Sequence, residues 1–282
     1  MIPVFPHLYV YDKGNKAEER NYEFGKMAVE GKKLIKTNKE TDSAQWSKTI
    51  EATIHQLKPE KNGLVIYIHG FQADNTYFMQ QSGFVIQRHI LDHPSHPYGM
   101  AISLQWKSVL MYESAVTQAL KKGRNFAILL EAVYEILKAK YPEAPVSFIC
   151  HSMGNRVFQG IFEQWITMRP GLALHHVMMF AADLESNIFN TYLKNLAAHC
   201  QTVYVYYHGS DKTLLLARAF KPHSRLGISG PEQAPLLPPN VIGRDVTGMM
   251  KENEAFAGKL TLHRYYYGSP GIRNEIVSIL AH

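Results

Sequence analysis

Apolar positions along this chain follow two periodicities that take turns. Residues 63–71, "GLVIYIHGF", run continuously apolar from Leu64 to Ile68 and then break at His69 and Gly70. That pattern suits a strand covered on both faces. "GMAISLQW" (99–106), "PVSFIC" (145–150), "HHVMMFAADL" (175–184) and "QTVYVYYHGSD" (201–211) read the same way. Helical spacing fills the intervals: 43–57, where Trp46, Ile50, Ile54 and Leu57 share a face, then 76–91, 112–141, 155–168 and 190–199. Ser43 is the expected N-cap of the first. Strand, helix, strand, helix predicts an α/β fold with a mainly parallel central sheet and helices on both faces.

Two stretches leave that rhythm. Residues 1–40 read as irregular or short β structure. Residues 212–262 hold the Pro/Gly-rich run "GISGPEQAPLLPPNVIG" and are expected to be a long loop or small lid. With no internal repeat and no linker, a single domain over residues 1–282 is expected.

Composition changes this picture little. The chain is 46% hydrophobic and 19% charged, as globular domains are. Its longest apolar runs, "LVIYI" and "VMMFAA", fall far short of the roughly 20 residues a membrane span needs. The N-terminus lacks a basic segment followed by an apolar core, and Pro3 and Pro6 interrupt it, so no secretory signal is read and a cytoplasmic location is expected. Cys150 and Cys200, the two cysteines, are expected as buried free thiols. The net charge of +6 is spread out; its densest patch, "GKKLIKTNKE", contains an acid and reads as solvated surface. No nucleic-acid partner is expected, and the oligomeric state is not encoded in any motif.

The chemistry begins at "VSFICHSMGNRVF". Ser152 lies between a strand and a helix, where a sharp turn lifts a hydroxyl above the carboxyl edge of the sheet. The same turn places the next backbone N–H, that of Met153, at a helix N-terminus, where it favours developing negative charge. Such an elbow follows G-x-S-x-G because strand and helix crowd together there. Gly154 fits the pattern. Cys150 stands where the first glycine is usual and fits only in part; a plain helix-capping serine is the alternative reading. Upstream, "IYIHGF" ends a strand in the loop that supplies a second oxyanion donor in enzymes of this kind, here the N–H of Phe71.

With "IYIHGF", "ICHSMGNRV", acid-bearing strands and a late histidine in order, the chain resembles the α/β-hydrolase superfamily over about residues 63–280. Within it, the chain is most similar to an uncharacterised branch of bacterial serine hydrolases. The resemblance implies a Ser, then Asp, then His order. Asp211, in the Gly-Ser-Asp turn after the second strand beyond the nucleophile, is the preferred acid, with Asp183 and then Asp245 as alternatives. His263, ahead of a final helix-like segment, is the implied base; His223 and His282 sit in less suitable surroundings. His69 is expected to brace the oxyanion loop. His93 and His96, in "DHPSHP", have poor spacing for a metal, and His175 and His176 are expected to precede or cap a strand.

The expected activity is hydrolysis of a small acyl substrate, a carboxylic ester first, with thioester or amide open, through an acyl-enzyme and without metal or organic cofactor. An acyltransferase with the same triad, or a non-catalytic binding protein on the same scaffold, are the competing readings.

Overall fold

The structure, a computed structural model, describes residues 5–14, 21–71, 82–220, 224–232, 237–249 and 263–282, the side chains of 218–220 and 267 excepted. The start of the helix expected at 76–91, His223 and residues 250–262 fall outside them. Nine strands form one sheet: β1 His7–Asp12, β2 Tyr22–Glu30, β3 Lys33–Glu40, β4 Gly63–Ile68, β5 Tyr98–Trp106, β6 Val146–His151, β7 Leu174–Phe180, β8 Cys200–Tyr207 and β9 Val241–Asp245, in the order β3-β2-β1-β5-β4-β6-β7-β8-β9. From β1 to β9 all pairings are parallel; β2 and β3 add an antiparallel edge.

Every residue of β4, β5 and β6 is buried, which is why these strands read as unbroken apolar runs. Alternation survives as a choice between two cores. Leu64, Ile66 and Ile68 face one, with Phe148 and Cys150, while Val65 and Tyr67 face the other, with Ile149. The first core is covered by α1 Ser43–His55, α2 Tyr112–Lys140 and α3 Gly154–Met168. The second is covered by α4 Lys212–Phe220 and α5 Pro270–Leu280.

Several expectations change. The cap of α1 is Asp42, whose carboxylate accepts the Ala44 N–H at 2.9 Å, and Ser43 is the first helical residue. Residues 190–199 form only short tight turns, Ile188–Asn190 and Leu196–His199, where a helix was expected. His175 and His176 lie inside β7 rather than before it. The described part of 212–262 carries α4, a turn at Leu226–Ser229 and β9, so much of the expected loop is regular structure. Its prolines sit between these elements and hide their periodicity.

Lys122, in the polar-looking run "ALKKGRN", is wholly buried on α2, and its ammonium donates to Asp12 Oδ1 at 2.6 Å and to Gly14 O at 3.1 Å. This pair ties β1 to the helix layer. Removing one partner leaves an uncompensated buried charge, so Lys122→Met is expected to lose about 3–5 kcal/mol. Adding Asp12→Leu to that variant is expected to recover most of the loss in urea unfolding. Equal stability of wild type and the single variant would show that the pair does not hold the edge.

Three buried histidines, His7, His69 and His176, are held neutral. Burial is the leading cause in each and brings their pKa values down to about 4 from 6.5. The unfolded chain takes up these protons below about pH 6.5 and the folded chain does not. Stability is therefore full above pH 6.5 and falls toward pH 4, by up to about 3 kcal/mol for each histidine. The urea midpoint is expected to drop steeply between pH 7 and 4.5; a flat midpoint would contradict the burial argument.

Candidate active site

At the carboxyl edge of the sheet, β6 passes directly into α3 through Ser152. Ser152 has φ +54°, a left-handed conformation uncommon for a side chain with a Cβ. The surroundings over-determine it. Its N–H donates to Phe180 O at 2.9 Å. Its carbonyl accepts from the Asn155 N–H at 3.1 Å, the Asn155 side-chain amide at 2.9 Å and the Asp183 N–H at 3.2 Å. Backbone strain persists where neighbours enforce it, which is typical of functional sites. Asn155, fully buried, was not singled out by its sequence context.

The two glycine positions of the elbow prove unequal. A Cβ on Gly154 would lie 2.5 Å from His69 O and 2.7 Å from Ile68 O, both backbone atoms. Cys150 points into the core beside Phe148 and meets no such wall. Only the position after the serine demands glycine here, and the departure at Cys150 leaves the turn intact.

The loop after β4 comes equally close, since a Cβ on Gly70 would lie 2.8 Å from Ser152 Cβ. His69 fixes this loop. Its Nε2 accepts the Trp106 N–H at 3.1 Å, so Nδ1 carries the proton and donates to Gly70 O at 2.7 Å. In a trans peptide the next N–H points opposite to that carbonyl. Holding Gly70 C=O thus aims the Phe71 N–H away from it. Among the described residues neither the Phe71 nor the Met153 N–H has a protein acceptor.

Asp211, fully buried, follows β8 and opens α4. Its Oδ1 accepts the Leu214 N–H at 3.1 Å and its Oδ2 accepts the His263 Nδ1–H at 2.7 Å. One carboxylate therefore caps a helix and orients an imidazole. Asp183 is engaged elsewhere: Tyr112 Oη donates to both its oxygens at 2.7 and 2.6 Å, and Arg225 lies 3.5 Å away. Asp245 is exposed on β9 and accepts the Thr247 N–H. Of the three acids, Asp211 is the one bonded to His263.

The segment bearing His263 is pinned by aromatic neighbours whose role its sequence did not reveal. His151 Nε2–H donates to His263 O at 2.9 Å, and the His151 ring stacks on Tyr266. Burial leads the causes that hold His151 neutral, and the neighbouring His263 adds to it. Tyr266 and Tyr67 share a hydroxyl hydrogen bond of 2.9 Å. Tyr265 Oη donates to Tyr206 O and accepts the Ala181 N–H, each at 2.8 Å.

Ser152, His263, Phe71 and Met153 all line a cleft of about 980 Å³. Ser152 Oγ makes no hydrogen bond to His263 among the described residues; such contacts often tighten only when substrate binds. His96 is buried and bonds Ile90 O, while His93 bonds Ser95, and among the described residues no cluster of three metal-binding side chains forms. No described helix is long and apolar enough to cross a membrane.

A parallel sheet with a strained serine at a strand–helix turn and a buried acid–histidine pair at the same edge defines an α/β hydrolase. Residues 43–278 match the family described as "Alpha/beta hydrolase of unknown function (DUF900)", and the chain belongs to that family. A solved structure described as "the putative cell surface hydrolase from Lactobacillus plantarum WCFS1" is similar at 11% identity and a TM-score of 0.41, covering 77% of this chain and 89% of that one. No curated protein matches the chain significantly.

The contrast between the two elbow positions can be measured. Gly154→Ala is expected to cost about 1–3 kcal/mol through backbone displacement and to lower activity with it. Cys150→Ala, which only removes a core sulfur, is expected to cost about 1 kcal/mol and keep activity. Equal effects in thermal unfolding and turnover would refute the asymmetry.

Proposed function

We propose that the protein is a serine hydrolase of carboxylic esters. The reading is carried by the Asp211–His263 hydrogen bond of 2.7 Å on the wall of the cleft that Ser152 lines. Ser152 Oγ attacks the ester carbonyl while His263 Nε2 takes its proton. Asp211 holds Nδ1–H and steadies the imidazolium that forms. The N–H groups of Phe71 and Met153 face the oxyanion, with His69 setting the first and the start of α3 the second. His263 then protonates the leaving alcohol. Water, deprotonated by the same imidazole, attacks the acyl-enzyme, and Ser152 recovers its proton.

Further support comes from the division of labour among the acids. Both oxygens of Asp183 are bonded to Tyr112, which leaves Asp211 as the orienting group. The ester is favoured over the amide because its leaving group departs more readily. A non-catalytic scaffold has no use for a strained serine beside an oriented imidazole.

A fluorophosphonate probe is expected to label the wild type, and Ser152→Ala to abolish both labelling and p-nitrophenyl ester hydrolysis while retaining the circular dichroism spectrum. Asp211→Asn is expected to lower kcat by about 10³–10⁴-fold. Undiminished turnover in Ser152→Ala would end the proposal. A larger kcat loss in Asp183→Asn than in Asp211→Asn would move the orienting role to Asp183.

A further inference from the structure

Apolar side chains on the cleft change in exposure from its floor to its rim. Around Ser152 the lining is buried: Tyr67 is 0% exposed, and Met153 and Leu214 are 1% exposed. At the rim, Leu110, Met111 and Leu216 are 84%, 72% and 71% exposed, more than any other large apolar side chain among the described residues. Large apolar groups left together in water mark a binding surface far more often than chance. They stand on two sides of the cleft lining, Leu110 and Met111 ahead of α2 and Leu216 on α4.

Both walls are anchored to the chemistry. α4 starts at Asp211, and turns Leu214 to the floor while Leu216 stands at the rim. The other wall continues into Tyr112, whose hydroxyl is already engaged by Asp183. A volume of about 980 Å³ lies at the upper end of what small-molecule sites offer. An acetyl group needs only the floor; only a longer chain reaches the rim.

We propose that the substrate's acyl group is a medium-to-long apolar chain, running from Ser152 over the buried floor to the rim formed by Leu110, Met111 and Leu216. This rests on the ester-hydrolase reading and names its substrate class. The chain is drawn from a monomeric ester in solution, and each methylene that reaches the walls contributes to binding. The rim sets specificity by reaching the distal part of the chain, and the reacting carbonyl stays with the N–H groups of Phe71 and Met153.

Two measurements test it separately from the chemistry. For p-nitrophenyl esters below their aggregation limit, kcat/KM is expected to rise up to about fourfold per methylene from butyrate to octanoate. The triple variant Leu110→Ser, Met111→Ser, Leu216→Ser alters exposed positions, so folding is not at stake, and it is expected to lower the octanoate-to-butyrate ratio at least tenfold. Calorimetry on Ser152→Ala is expected to find decanoate bound at least tenfold more tightly than acetate. An unchanged ratio in the triple variant, a wild-type preference for acetate, or equal affinity for the two acids would each overturn the proposal. Fluorophosphonate labelling without any chain-length gain would leave the hydrolase standing and remove the chain. Absent labelling with tight decanoate binding would do the reverse.

Discussion

The conformation of Ser152 is the constraint around which the rest is arranged. A residue with a Cβ adopts φ +54° only if its surroundings forbid the alternatives. Here only Ser152 and Met153 separate β6 from α3, and the serine carbonyl is held by three donors. The close approach then fixes which neighbours are allowed. Gly154 must lack a side chain because the carbonyls of Ile68 and His69, at the end of β4 and just after it, fill the space, and Gly70 must lack one because the Ser152 side chain occupies it. Sheet order follows the same need, since β4 lies beside β6 and its following loop therefore reaches the serine.

The histidine is held by a different device. His263 sits in a turn ahead of α5, and tethers from the residues around it hold it in place. Its carbonyl accepts a hydrogen bond from His151, one residue before the serine, and Tyr265 and Tyr266 bind backbone and hydroxyl groups on the sheet edge. Ser152 and His263 are thereby linked through one buried, neutral imidazole as well as through the cleft. Burial keeps His69 and His151 uncharged, so each keeps both a defined tautomer and a fixed carbonyl partner.

This explains what sequence could and could not reveal. Buried parallel strands produce unbroken apolar runs, whereas chain order only narrowed the acids after the serine to Asp211, Asp183 and Asp245. Hence β4 to β8 were legible, while Ser152, Asp211 and His263 were implied by the resemblance, and the structure bonds the last two. β9 was hidden because its exposed residues, Ile242 to Asp245, give no apolar run, and prolines precede it. Lys122 was hidden because pattern assigns lysine to solvent, while its burial depends on Asp12, 110 residues away. The tethering role of the tyrosines after His263 was hidden because their hydrogen-bond partners lie far along the chain, at Tyr67, Ala181 and Tyr206. Asp42 was passed over for Ser43 because both residues can cap, and only backbone geometry separates them.

One consequence concerns charge. Asp183 shares the cleft wall with Ser152, and an unpaired carboxylate there would oppose the negative charge of the oxyanion in the proposed reaction. The network beside it meets that difficulty. Burial pushes the Tyr112 hydroxyl pKa upward, and the nearby Asp183 pushes it further, so it stays protonated and donates to both carboxylate oxygens. Arg225, wholly buried, stands near both Asp183 and Glu185. Burial alone would raise the Glu185 carboxyl, but two hydrogen bonds from Arg156 bring it down to about 2. Two cations thus balance two anions beside the cleft. The same four charges join α3, the segment after β7 and the turn near Leu226. Charge balance beside the serine and the joining of these segments are therefore products of one network.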